Sequence, residues 1–214
     1  EQTTLSTVAV QTNTPTSLAG DNLALAIASP SNFQVSGGTA TTNVTRTLFR
    51  GNSAYEAKAL ETIDAITNVQ TAFKSLTNNN QNGVGYTNGD LSTSLKNLAT
   101  LIKMNVGISV ATIDMGGWDH HQNLTPAFTS RATELSKGIA AFWKDIASYQ
   151  AQTTIVTMTE FGRRFQENAN RGLDHGSAST MMVVSSKLNG GKVYGTWPGL
   201  ADNQLFGGDL AVST

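Results

Sequence analysis

Helix-period stretches on either side of the apolar run "GISVATID" constrain this chain more than any other feature. Over residues 54–76, Tyr55, Ala59, Leu60, Ile63, Ile66, Val69, Phe73 and Leu76 recur at steps of three and four, the spacing of an amphipathic helix. A second helix is expected from Leu91, Leu95, Leu98 and Ile102, with Asp90 as its cap. "GISVATID" then reads as a buried strand whose last residue, Asp114, opens a loop. The clearest helix follows, "LTPAFTSRATELSKGIAAFWKDIASYQ". Thr125 is placed to cap it, Pro126 suits its first turn, and Phe128, Leu135, Ile139, Phe142 and Ile146 form its apolar stripe. "TTIVTMTE" is the next strand. Strand, helix, strand, loop, strand in that order predicts an α/β layered fold with a mostly parallel sheet. Such sheets place ligands beyond the carboxyl ends of their strands, where the loops after Ile113 and Thr159 both begin.

The remaining segments are weaker. "LSTVAV" offers a short strand over residues 5–10, and "DNLALAIASPSNFQV" is apolar but broken by Pro30. "SGGTATTN" reads as loop. Residues 78–89, rich in Asn and Gly, are expected to be a surface loop. Beyond "GLDHG", "STMMVVSS" is a candidate strand and "GGKVYG" a turn with a short strand. The 214 residues suit a single domain, read here as part of a longer protein because a strand already begins near Glu1 and a new apolar run opens in "GGDLAVST".

Charged residues make up 14% of the chain, against roughly 25% in an ordinary soluble domain. A net charge of -1 provides no basic footprint, so nucleic acid is not an expected partner. With no cysteine, thiolate metal sites and disulfides are excluded. No apolar run approaches the roughly 18 residues of a membrane span.

Chemistry concentrates in the histidines. Of three in the chain, two stand in "DMGGWDHHQN" and the third in "GLDHG", each motif pairing histidine with an acid. In an extended "WDHHQ", residues two apart point to one side, so Asp119 and His121 converge while His120 points away. Together with His175 they would make a three-ligand site with an open position, the arrangement of a catalytic zinc. Asp114 and Asp174 are further candidate metal ligands, Asp114 for a neighbouring ion or to orient a ligand. Gly116 and Gly117 would allow backbone that a side chain forbids. In "TEFGRR", Glu160 is a candidate base or second-metal ligand and Arg163 a candidate anion holder, guanidinium being suited to phosphate or sulfate. Each feature also has a plain reading: an Asp–His pair is often a solvated turn, Glu160 is equally readable as a strand-end acid paired with Arg163 or Arg164, and Trp118 and Trp143 are packing residues.

"DMGGWDHHQN", "TIVTMTEFGR", "GLDHG" and "NGGKVYG" resemble, in that order, the motifs of a bacterial family catalogued as domain of unknown function 1501. The resemblance covers roughly residues 21–214. Members are often labelled sulfatase-like, and many carry twin-arginine export signals. The family is similar in turn to the alkaline phosphatase superfamily, which implies a three-layer α/β/α sandwich with a two-metal site at the strand ends. On that resemblance Asp119, His121 and His175 hold one zinc, Asp114 falls at a magnesium-site acid, and Glu160 falls where a second metal has an aspartate. It implies one or two divalent ions, zinc first, with magnesium, calcium or manganese as alternatives.

The chain departs from the pattern in several places. Glu160–Phe161 stands where the superfamily has Asp–His, His120 replaces a common threonine, and Arg164–Phe165 replaces a common Thr–Pro. His120 and His121 both lie closer to Asp119 than the superfamily's spacing, so either remains open as the ligand. No counterpart of the superfamily's nucleophile is present, and it is expected upstream of Glu1. The expectation is therefore an exported, periplasmic or extracellular, metal-dependent hydrolase of small phosphate or sulfate esters. The alternative is a surface or export-linked binding protein that keeps the fold without catalysis. "DHH" also marks the DHH phosphoesterases, but there it follows directly on a hydrophobic strand, and here Met-Gly-Gly-Trp intervenes.

Overall fold

The computed structural model describes residues 5–51, 53–76 and 84–212. The chain divides into two compact units, one formed by Glu1–Met115 with Glu134–Ile146 and the other by Gly116–Thr133 with Ala147–Thr214.

The first unit is built on a three-stranded parallel sheet in the order β2-β1-β3, with β1 at Thr7–Ala9, β2 at Leu25–Ala26 and β3 at Val110–Thr112. Val8 pairs with both Leu25 and Ala111, so β1 is central, and Val8, Ala9 and Val10 are buried. This is how "LSTVAV" behaves when both of its faces are covered. "GISVATID" was expected to be a buried strand, but β3 is short and half-exposed, with Val110 in contact with water, because it lies at an edge of the sheet. A parallel neighbour needs a long crossover, and between β2 and β3 the described residues form three α-helices.

The first of these, α1 at Gly38–Leu48, includes residues expected to be loop. It buries no residue and so leaves no apolar stripe in the sequence. The hydroxyls of Thr42, Thr45 and Thr47 donate back to carbonyls four residues earlier, and Arg46 pairs with Asp64 of the next helix at 2.5 Å. That helix, α2 at Ala54–Leu76, has the predicted extent and buries Ile63, Ala65 and Val69. Ser53 and Glu56 form a capping box at its start: the Ser53 hydroxyl accepts from Glu56 N, and Glu56 Oε2 accepts from Ser53 N.

The third helix, α3 at Asp90–Lys103, is capped by Gly89, so Asp90 is its first residue and not its cap. A carboxylate from elsewhere serves its open N–H groups, since Leu91 N donates to Glu134. Leu91, Leu95, Leu98 and Leu101 form its buried side. Helix α4 runs from Leu124 to Asp145, beginning in the second unit and ending in the first. Thr125 and Pro126 lie inside its first turn, so Thr125 is not the cap. Phe142 and Ile146 are buried as expected, whereas Phe128 is half-exposed. Asp145 accepts from Lys103 at 2.6 Å and from the Tyr86 hydroxyl at 3.1 Å, closing the first unit around α3.

Among the described residues the second unit contains only antiparallel pairs. Strand β4 at Thr154–Thr157 pairs with β7 at Met182–Ser185, and β5 at Gly162–Arg163 pairs with β6 at His175–Gly176. Parallel pairing among the described residues is therefore confined to the first sheet, and the fold is mixed α/β with a small parallel three-stranded sheet. No strand forms in "GGKVYG", where Val193 is fully exposed and Tyr194 largely so. Within residues 78–89 the described part, 84–89, carries no helix or strand, and 78–83 lie outside the described residues.

Candidate metal centre

The site lies within the second unit and depends on the two-residue ladder of β5 and β6. There Arg163 stands directly opposite His175, and Gly162 opposite Gly176. Both glycines are required by close approach: a Cβ on Gly162 would overlap the Ala178 backbone, and one on Gly176 would overlap the Asp209 carboxylate and the Arg163–Arg164 backbone. Asp209 is buried and accepts from Ser177 N at 3.1 Å, tying down the chain just beyond β6.

The other half of the site is the loop that begins in "GGWDHH". Gly117 adopts a φ of 84°, which favours glycine, while Gly116 has an ordinary φ and open space around it. The loop is not extended. His120 N donates to Trp118 O at 2.9 Å and His121 N to Asp119 O at 3.1 Å, two successive three-residue turns that bring Asp119 and His121 together. His120 is buried, its ring edge-on to Trp118, which in turn packs edge-on to Phe128. Between the adjacent histidines, His121 is the one placed in the cluster.

Three ligand-type atoms converge. Asp119 Oδ1 lies 2.9 Å from His121 Nε2 and 3.1 Å from His175 Nε2, and the two nitrogens are 3.2 Å apart. The ligand atoms of a tetrahedral zinc, bonded at roughly 2.0–2.1 Å, are separated by about 3.3 Å. The observed triangle therefore has the size such an ion requires, and Asp119, His121 and His175 could hold one. The other nitrogen of His121, Nδ1, lies 2.9 Å from Asp174 Oδ1. A carboxylate thus stands at each nitrogen of His121, Asp174 at Nδ1 and Asp119 at Nε2, and an ion bound to Nε2 would leave Nδ1–H to donate to Asp174.

Arg163 clamps the two halves together. Its Nη1 donates to Leu173 O at 2.9 Å and reaches His121 Nε2 at 3.5 Å, while its Nη2 donates to Asp119 Oδ1 at 2.6 Å and Trp118 O at 3.1 Å. All four terminal N–H groups are thus engaged inside the protein. Phe161 lies with its ring 4.2 Å from that of His175 and 5.9 Å from the guanidinium. Asp114 and Glu160 are exposed, neither side chain makes a hydrogen bond or ion pair among the described residues, and neither belongs to the three-residue cluster.

The Arg163 hydrogen bond, then the His175 contact, hold the Asp119 carboxyl down at about 2, against an ordinary 3.8. Asp174 is held below its ordinary range by His121 first and Asn168 second. A carboxylate depressed in the folded chain lends stability that is present above pH 3.8 and lost as the pH falls through that value towards about 2. Arg163→Ala removes the largest cause. The Asp119 titration midpoint, followed by its carboxyl carbon shift, is expected to rise towards the ordinary value, and an unchanged midpoint would contradict this account of the cluster.

One participant carries no sequence signal of its own. Asn168 Oδ1 accepts from the backbone N–H groups of Asn170 and Gly172 at 2.9 and 3.0 Å, and its Nδ2 donates to His121 O and Asp174 Oδ1, both at 3.0 Å. The pattern "NANRG" could have indicated an Asn-closed turn, but not the second pair of contacts.

A family model described as "Protein of unknown function (DUF1501)" matches residues 6–206. No curated protein and no solved structure matches the chain.

Proposed function

The chain belongs to the DUF1501 family, and we propose that its Asp119–His121–His175 cluster is the metal centre of a hydrolase acting on small phosphate or sulfate esters. The observation that carries this reading is the convergence of one carboxylate oxygen and two imidazole nitrogens at 2.9–3.2 Å from one another. Two imidazoles favour zinc over magnesium or calcium, which prefer oxygen ligands. A divalent ion held there supplies Lewis-acid stabilisation of charge on a transferring phosphoryl or sulfuryl group.

The chain's own residues do the rest. With an ion on Nε2, Asp174 would accept from His121 Nδ1–H and so orient the ring. Arg163 acts as a clamp on both ligand-bearing segments, so in this reading its role is to assemble the site and not to hold the anion. Phe161 covers one side of His175, at the position where the related superfamily has a second-metal histidine, and a single ion is the simpler assignment. We assign no nucleophile among these residues. The wider setting remains our inference from resemblance: an alkaline phosphatase-like three-layer sandwich that includes the β2-β1-β3 sheet, in an exported protein.

A second reading has its own observation. Arg163 Nη2 occupies, at 2.6 Å, the Asp119 oxygen that an ion would use, so the cluster is also a satisfied ion-pair network suited to a binding protein without catalysis. Aryl phosphate and aryl sulfate hydrolysis by the full-length protein, loaded in turn with zinc, manganese, magnesium and calcium, separates the two. The hydrolase reading predicts turnover with at least one metal, lost in His121→Ala. Silence across all four would overturn it in favour of binding.

A further inference from the structure

We propose that Asn168 is a positioning residue that holds the Asp174 carboxylate and the His121 main chain in place behind the Asp119–His121–His175 cluster. The proposal rests on the metal-centre reading for its consequence but not for its geometry. An amide side chain has two donors and two acceptor lone pairs, and Asn168 uses all four. Its orientation is fixed internally: the two backbone N–H groups of Asn170 and Gly172 demand an oxygen, so the NH₂ group must face His121 O and Asp174 Oδ1. A flipped amide would set donors against donors on one side and oxygens against oxygens on the other.

That fixed NH₂ group does two things at once. By donating to His121 O it anchors the backbone of the ligand loop, and by donating to Asp174 Oδ1 it holds the carboxylate that faces His121 Nδ1 at 2.9 Å. Backbone pairing supports the same juncture. Leu173 N donates to His120 O, Arg164 N donates to Asp174 O, and Asn168 N donates to Gly172 O. The Asp174 main chain is thus pinned, and the orientation of its carboxylate is set by Asn168 and His121. Without the amide donor, Asp174 is free to turn, and the His121 ring loses the partner that stands against its Nδ1. Outer partners of this kind typically tune metal affinity by roughly 10- to 100-fold.

Asn168→Asp separates this role from closure of the loop. Its carboxylate still offers an oxygen to the N–H groups of Asn170 and Gly172, but it places a second oxygen, not a donor, against Asp174 and His121 O. Two measurements on the 214-residue chain decide the matter. In the metal-free protein, a crystal structure reports how the Asp174 carboxylate is turned. We expect it against His121 Nδ1 in the unaltered chain and turned away in Asn168→Asp, with the backbone hydrogen bonds of Asn170 and Gly172 to residue 168 retained. In zinc titrations, the variant is expected to bind at least tenfold more weakly, and Asn168→Ala at least as weakly. An Asp174 carboxylate that stays against His121 in Asn168→Asp overturns the proposal, whatever the zinc affinity. If the unaltered chain binds no zinc, the metal-centre reading fails, and the placement of Asp174 still decides the role of Asn168.

Discussion

His121→Ala is expected to weaken zinc binding by more than the roughly 10- to 100-fold that loss of an outer partner costs, because it removes a direct ligand. Three donors with an open position become two, Asp119 and His175, whose closest atoms stand 3.1 Å apart. Asp174 cannot substitute: its main chain is held by Arg164 N, and its carboxylate lies on the opposite nitrogen of the ring that would be removed. His120 cannot swing in without leaving its buried place against Trp118. Isothermal titration with zinc reads this directly, and His120→Ala is the comparison. That variant should disturb packing while leaving the ligand set intact, so equal losses in the two variants would contradict the assignment of His121.

Gly172→Ala is expected to break the site without touching a ligand. A Cβ at this position would overlap the carbonyl carbon and oxygen of His121 and the nitrogen of Gln122, all backbone atoms. A flexible side chain can yield to such a clash, but a main chain must move as a unit, so the cost reaches or exceeds the roughly 1–3 kcal/mol of ordinary overpacking. The movement carries Asp174 and His175 away from His121, because Gly172 is bonded in both directions to Asn168. Thermal unfolding should show a fall in Tm of several degrees, about 2–4 °C for each kcal/mol in a chain of this size, together with weakened zinc binding. Gly116→Ala provides the contrast within the same motif. Gly116 has an ordinary φ and nothing near its would-be Cβ, so that variant should lie within about 0.5 kcal/mol of the unaltered chain.

The parts of this structure that were legible in the sequence are those governed by periodic burial. Helix α2 followed directly from its apolar steps, and the stripe of α4 correctly marked Phe142 and Ile146 for the core. Helix α1 was not legible because it buries nothing and is threaded with threonine, whose hydroxyls satisfy it locally. The start of α3 was misplaced because the group serving its N-terminus, Glu134, is 43 residues from Leu91. No local pattern encodes such a partner.

The site divides along the same line. Residue type gathered Asp119 and His175 and left His120 and His121 open between them, since all three histidines stood in two motifs that each hold an aspartate. What each neighbour does was legible only in three dimensions. The two residues of β5 and the two of β6 are too few to show a strand period, yet they set Arg163 beside His175. Arg163 reads in sequence as a free cation for an anion, but folding commits its terminal N–H groups to two carbonyls, a carboxylate and an imidazole. Asp174 reads as one more candidate ligand and stands instead behind His121. Asn168 has no chemical signature in the sequence, yet it contacts both.

The most direct test of the central claim is X-ray absorption at the zinc edge of the zinc-loaded protein, compared with His175→Ala. The account predicts one zinc per chain with two imidazole nitrogens and a carboxylate oxygen at roughly 2.0–2.2 Å, and one imidazole fewer in the variant. A zinc without imidazole ligands, or a spectrum unchanged by the substitution, would contradict it.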